Sequence, residues 1–176
     1  WGPGGVGVAA LYNRVDGFAP GVSARALVFT PSSFNPIELY GDANYAFSAE
    51  RVRYAVGALK RFGTHGPLVL GYEHHDFTDN DHVYRAAGVE QLKGWHFFFT
   101  TFQDYYRRRG DEAYAFVRPA GNFQLGVNFR SDTFESQPIV SDHFLFFRQD
   151  PPPNPAVAEG LSRSFLFTGR WSWEGP

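Results

Sequence analysis

The sequence predicts an all-β chain, an antiparallel up-and-down β-barrel set in a membrane, and three observations predict it. Apolar and polar residues alternate at period two in several segments, over the roughly nine to eleven positions that a tilted strand needs to cross a bilayer. The polar rows carry Arg, Asp, Glu, Asn and Tyr, and lysine occurs only at Lys60 and Lys93, although the outer wall of a soluble barrel is rich in it. Aromatic residues stand near the strand ends, at Phe29, Tyr45, Phe47, Phe62, Phe77, Phe134 and Trp173, where interfacial girdles are expected.

Taken in order, residues 21–29 set Val22, Ala24, Ala26 and Val28 against Ser23 and Arg25. In 37–47 the row Ile37, Leu39, Gly41, Ala43, Tyr45 and Phe47 opposes Glu38, Tyr40, Asp42, Asn44 and Ala46, so one face is apolar and the other hydrated. Residues 51–62 oppose Val52, Tyr54, Val56 and Ala58 to Arg51, Arg53 and Arg61. Segments 67–77 and 112–118 read as further strands. In 123–134 Phe123, Leu125, Val127 and Phe129 face away from Gln124, Gly126, Asn128, Arg130 and Asp132. In 161–173 Phe165, Phe167, Gly169, Trp171 and Trp173 oppose Ser162, Ser164, Thr168, Arg170 and Ser172. An eighth strand is expected in the aromatic block 95–106, and eight is the size of the smallest closed outer-membrane barrel.

Residues 48–50, 63–66 and 120–122 read as tight turns. Two connections are long. One covers 78–94 with Asp79, Asn80, Asp81 and His82; the other covers 135–160 with Pro151-Pro152-Pro153-Asn154-Pro155, which cannot join a central ladder. No repeat of 20 to 50 residues stands out, so residues 1–176 read as one barrel domain, alone or as a segment of a longer barrel.

Composition excludes several classes. In 176 residues, 16 Lys+Arg against 18 Asp+Glu give a net charge of −2, which argues against a nucleic-acid partner. The absence of cysteine rules out disulfides, thiolate metal sites and cysteine nucleophiles. No apolar run approaches the roughly 18 residues of a membrane helix. The opening Trp1-Gly2-Pro3, without methionine or signal peptide, points to a processed chain or a piece of a longer one.

The residues that carry function on this reading are the polar rows: Arg25, Glu38, Asp42, Asn44, Arg51, Arg53, Asn128, Arg130 and Asp132. An Arg at the lipid midplane costs roughly 2–4 kcal/mol, so these rows must face a wet lumen, where opposite charges on neighbouring strands pair. They plug a small barrel or tune the selectivity of a larger one. Arg107-Arg108-Arg109 beside Tyr105 and Tyr106 is a candidate contact for lipopolysaccharide or another anion, against the plainer reading of interfacial charge. His74-His75-Asp76, with Asp79, Asp81 and His82, resembles a metal cluster, but adjacent strand residues point to opposite faces, so no metal site is assigned. Gly5-Val6-Gly7-Val8-Ala9-Ala10 matches a dinucleotide fingerprint without the βαβ unit it needs, so no cofactor is expected. No G-x-S-x-G elbow occurs, no enzyme is expected, and Arg109-Gly110-Asp111 as an adhesion tripeptide is no better than chance. The competing reading is a soluble secreted β-barrel or sandwich with an aromatic-rich core that binds an apolar ligand.

Four strings go further. Tyr12-Asn13-Arg14-Val15-Asp16-Gly17-Phe18, Arg51-Val52-Arg53-Tyr54, Gln103-Asp104-Tyr105-Tyr106-Arg107-Arg108-Arg109-Gly110 and Asn154-Pro155-Ala156-Val157-Ala158-Glu159-Gly160 resemble the bacterial surface-antigen barrels, the outer-membrane superfamily of barrel-assembly and two-partner-secretion translocators. The resemblance implies an outer-membrane barrel of a Gram-negative envelope without an enzymatic centre. It would insert or pass macromolecules or serve as a surface scaffold, among outer-membrane lipid, lipopolysaccharide and other envelope subunits. The family's barrels exceed eight strands, so it also implies a segment of a larger ring. The family's Arg-Gly-Phe/Tyr lumen-loop motif is absent and no periplasmic domain precedes the strands, which weakens translocation as the role. The resemblance puts the amino-terminal end in the periplasm, and simple alternation of the predicted strands places both long connections on that side too.

Overall fold

The computed structural model describes residues 4–13, 15–28, 36–63, 67–80, 105–120, 122–140 and 153–171. Every regular element among them is a strand: β1 Gly5–Asn13, β2 Gly17–Val28, β3 Ile37–Ala46, β4 Arg51–Phe62, β5 Leu68–Asn80, β6 Tyr105–Ala120, β7 Phe123–Ser136 and β8 Gly160–Trp171. They form a single sheet in sequence order with antiparallel pairing throughout, the up-and-down arrangement that short alternating segments and tight turns dictate. Among the described residues β1 pairs only with β2 and β8 only with β7, so the sheet has two open edges.

Two sequence expectations need correction. The eighth strand of the sheet is β1, while residues 95–104 of the aromatic block lie outside the described residues and 105–106 open β6. Periodicity overlooked β1 because from Gly5 to Leu11 both of its rows are built from Gly, Ala, Val and Leu, so they differ little in polarity. Adding this strand reverses the sides of all later connections. The turns at 14–16 and 47–50 and both long connections leave the sheet at one end. The connections at 29–36, 63–67 and 121–122, the start of β1 and the end of β8 lie at the other.

Turn chemistry explains the first hairpin. Asn13 Oδ1 accepts the backbone N–H groups of Val15 (2.9 Å) and Asp16 (2.6 Å), and its Nδ2 donates to Asp16 Oδ2 at 2.9 Å. The side chain thus acts as part of the turn backbone, and Gly17 at φ 66° supplies the left-handed residue that closes it.

Register fixes the faces. Cross-strand partners share a face, so one row runs Gly5, Arg25, Tyr40, Gly57, Glu73, Glu112, Arg130, Ser164 across all eight strands. The opposite face carries the apolar rows and is exposed: Val8 is 87% accessible, Phe167 76% and Phe165 66%. Burial is inverted relative to a soluble core. Among the described residues the buried apolar side chains are only Val15, Ala19, Ala46 and Tyr105, whereas Asp16, Glu38, Arg53, His75, Asp76, Asp132 and Gln137 are buried.

The exposed apolar surface is a sloping belt. On β1 it lies on the turn side of the Gly5–Ser164 line, at Val6, Val8 and Ala10; on β4 it spans Val52 to Phe62; on β8 it lies on the far side, at Phe165, Phe167 and Trp171. Its middle therefore moves by about one residue per strand-to-strand step, which at ~3.3 Å rise and ~4.8 Å spacing is a strand tilt of about 35°. Lys60, the one lysine among the described residues, lies in the apolar row at the belt's rim, 5.6 Å from the Phe62 ring.

On the polar face, aromatic rings lie over glycines of the next strand. Tyr40 covers Gly57, Tyr114 covers Gly71 and Phe116 covers Gly126, each a register pair. A Cβ at Gly57 would collide with the Tyr40 ring and stand 2.8 Å from the Tyr72 carbonyl oxygen. Gly57→Val should therefore destabilise the sheet by about 1–3 kcal/mol, read as a lower urea midpoint; an unchanged midpoint would show that Tyr40 moves aside freely.

Candidate functional site

The polar face is the candidate site, and the geometry places all nine predicted residues on it: Arg25, Glu38, Asp42, Asn44, Arg51, Arg53, Asn128, Arg130 and Asp132. Its charges pair in three groups along the strands. Near the 63–67 turn, buried Glu38 lies between Arg25 Nε (3.0 Å) and Arg61 Nη1 (3.1 Å).

The middle group spans five strands. Tyr40 donates its hydroxyl to Glu73 Oε2 at 3.1 Å, and Glu73 Oε1 is 3.4 Å from His75 Nδ1. His75, fully buried, reaches Asp132 Oδ1 through Nε2 at 3.1 Å. Those two residues are two strands apart, with Gly110 between them in the ladder, and a side chain at 110 would fill the space they use. Arg108 Nε donates to Asp132 Oδ2 at 2.7 Å, and its ring-facing guanidinium lies 5.6 Å from the Phe77 ring. Glu112 joins Arg130 Nε at 2.9 Å and accepts from Asn128.

The third group sits under the turns at the other end, where Arg53 of the polar row meets Asp76 of the opposite row. Arg53 Nε and Nη2 donate to Asp16 Oδ1 at 3.2 and 3.1 Å, Nη2 reaches Gln137 Oε1 at 3.4 Å, and Nη1 is 3.6 Å from Asp76. Arg107 holds the other side of Asp76 through Nε at 2.7 Å and pairs with Glu135 at 2.9 Å. The hairpin residue Asp16 and the residue after β7, Gln137, thereby meet on one β4 arginine.

The arginine triplet does not act as one grip. Arg107 and Arg109 fall in the row continuous with the apolar face, and Arg108 in the polar row. Arg107 and Arg108 are committed to carboxylates, while Arg109 is exposed. The two histidines separate as alternation requires. His74 points to the exposed face, where Nδ1 is 2.9 Å from Asp111 and Nε2 is 3.1 Å from the Tyr54 hydroxyl; His75 points to the polar face. Asp76 pairs with Arg53 and Arg107, and Asp81 and His82 lie outside the described residues, as do Phe29 and Trp173. No group of three or more ligating side chains suited to a metal occurs among the described residues. Among the described residues the ring nitrogens of His75 face two carboxylates, those of Glu73 and Asp132.

Sequence reading missed Asp16, His75, Glu73, Glu112 and Arg108 as members of this face. For the last four the usable signal was Gly110: a glycine inside a charged strand marks a place where neighbours meet across it. The run 153–159 is anchored by Asn154. Its Oδ1 accepts from Tyr105 N at 2.8 Å, and its Nδ2 donates to the carbonyls of Tyr105 and Gln137, both at 2.6 Å, so one amide stands in for a strand peptide beside β6 and β7. Asn154→Ala should cost about 1–2 kcal/mol and speed proteolytic cleavage between residues 137 and 159; equal cleavage rates in parent and variant would show that the clamp does not hold this segment.

No family model matches the chain, and neither does any curated protein or solved structure. Of the strings that resemble the surface-antigen barrels, the first is the β1–β2 hairpin, the second opens β4, the third leads into β6 and the fourth is the Asn154 clamp running into β8.

Proposed function

We propose that the chain is a sector of the wall of an outer-membrane β-barrel in a Gram-negative-type envelope, with a structural, assembly, translocation or pore role and no enzymatic centre. The carrying observation is the sloping exposed apolar belt backed by a buried, ion-paired polar face. Hydrocarbon outside and water inside would satisfy both faces, and the slope matches strands tilted as membrane barrels tilt them. The belt on β4, from Val52 to Phe62, measures about 26 Å along the membrane normal at that tilt, close to the ~25 Å apolar band of such barrels. The resemblance to surface-antigen barrels supports the same reading.

Open edges cannot stand in lipid, because each leaves a row of backbone donors and acceptors unpaired. The ring therefore continues beyond β1 and β8. A closed ring of eight fills its interior with side chains, whereas Ser162, Ser164, Leu166, Thr168 and Arg170, the polar-side row of β8, are all exposed. That favours a larger ring, and its hydrated lumen is the space that the nine polar residues would line. Lipid, lipopolysaccharide and neighbouring envelope subunits are the partners that this reading would give it.

The test is partitioning. The protein should require detergent or lipid to stay in solution and should migrate as a compact, heat-modifiable band on denaturing gels. Recovery as a monodisperse species in plain buffer would overturn the proposal in favour of a soluble, ligand-binding sheet.

A further inference from the structure

Above the belt on β5 to β8 the exposed face changes character. Its rows become His74, Asp76 and Thr78, then Asp111, Arg109 and Arg107, then Ser131, Thr133 and Glu135, then Arg163. The acids in this collar are already engaged: Asp111 by His74 and Tyr72, Asp76 and Glu135 by Arg107. Arg109 and Arg163 are exposed, and neither forms an ion pair among the described residues. They lie two strands apart and two residues out of line, about 12 Å, with Thr133 opposite Arg109 and Ser131 opposite Arg163. Immediately below, Phe129 and Phe165 pack ring to ring at 4.9 Å, and on the other side of Arg163 the same face carries the exposed Leu161.

We infer that Arg109 and Arg163, with the hydroxyls of Ser131 and Thr133 between them, form a site on the outer wall for the phosphate of an anionic membrane-lipid headgroup. The inference rests on the membrane reading above. Although Asp76, already held by Arg107, is the β5 neighbour of Arg109, two exposed guanidiniums that form no ion pair among the described residues, just past the edge of an apolar belt, complement a phosphate at the depth where a lipid carries it, while the Phe129–Phe165 step meets the acyl chains. Arg107 and Arg108 take no part, because their forks are filled by carboxylates.

The experiment uses the protein in maltoside micelles and counts retained lipid by native mass spectrometry, with phosphatidylglycerol and phosphatidylcholine as probes. The parent should prefer phosphatidylglycerol. The double variant Arg109→Gln/Arg163→Gln should lose about tenfold in that affinity, whereas Arg170→Gln, which removes one arginine charge from the opposite face, should keep it. Inorganic phosphate at the same concentration should displace nothing. A heat-modifiable double variant that retains phosphatidylglycerol as the parent does, a parent without the preference, or displacement by inorganic phosphate would overturn the site. A parent that stays monodisperse without detergent overturns the membrane reading itself, and the site with it.

Discussion

Arg53→Met should destabilise the protein by about 3–5 kcal/mol, because it leaves a buried carboxylate without its cation. The Arg53 and Asp16 side chains are 4% and 6% exposed, and the guanidinium is the charged partner of Asp16. Asp76 keeps Arg107 in the variant, but Asp16 would retain only the Asn13 amide, at 2.9 Å. The cost therefore falls on the β1–β2 hairpin, whose turn residues Val15 and Asp16 are buried against the polar face. Arg53→Lys should recover only part of the loss, since one ammonium cannot reach Asp16, Gln137 and Asp76 together as the planar fork does. Arg53→Met/Asp16→Asn should recover more, because it removes the orphaned charge. Arg51→Gln, exposed and two residues along the same row, should stay within about 0.5 kcal/mol. Urea unfolding followed by circular dichroism in micelles reads all four; equal midpoints for Arg53→Met and Arg51→Gln would show that water, not Arg53, satisfies Asp16.

The rows of β3, β4, β7 and β8 were legible because their two faces differ sharply in polarity: Leu39 beside Tyr40, Val52 beside Arg53, Phe129 beside Arg130. The same arithmetic failed on β1, where Val8 and Ala9 differ little in polarity although they lie on opposite faces. One missing strand was enough to put both long connections at the wrong end. Membership of the polar face was legible by parity alone, and all nine residues fall there. What parity cannot supply is which charges meet. The Arg53–Asp16 and Arg53–Gln137 contacts depend on a hairpin and a post-β7 segment turning back over the sheet, and the His75–Asp132 contact on the gap that Gly110 leaves. Arg109 was read as an anion contact within the arginine triplet, but its grouping with Ser131, Thr133 and Arg163 went unread because the belt slopes: the residues at which a strand leaves the apolar zone shift from strand to strand, a quantity that only the register provides.

Val22→Arg separates a sheet in lipid from a sheet in water. Val22 is 54% exposed, lies close to the middle of the belt on β2, and has Val8 and Ala43 as cross-strand neighbours, so a guanidinium there meets no carboxylate. In a bilayer it should cost about 2–4 kcal/mol, the midplane value for a lipid-facing arginine on a barrel. In water a half-exposed valine replaced by arginine changes stability by no more than about 0.5 kcal/mol, since the long side chain simply extends into solvent. Ser23→Arg is the matched control: one residue along, it enters the polar face opposite Asp42, where a cation gains a partner, and it should be near neutral in either setting. The measurement is the urea midpoint of protein folded into phosphatidylcholine vesicles, followed by tryptophan fluorescence. A large loss for residue 22 with none for residue 23 follows from hydrocarbon on one side of the sheet and water on the other. Two small effects would mean that both faces meet water, which would overturn the membrane reading.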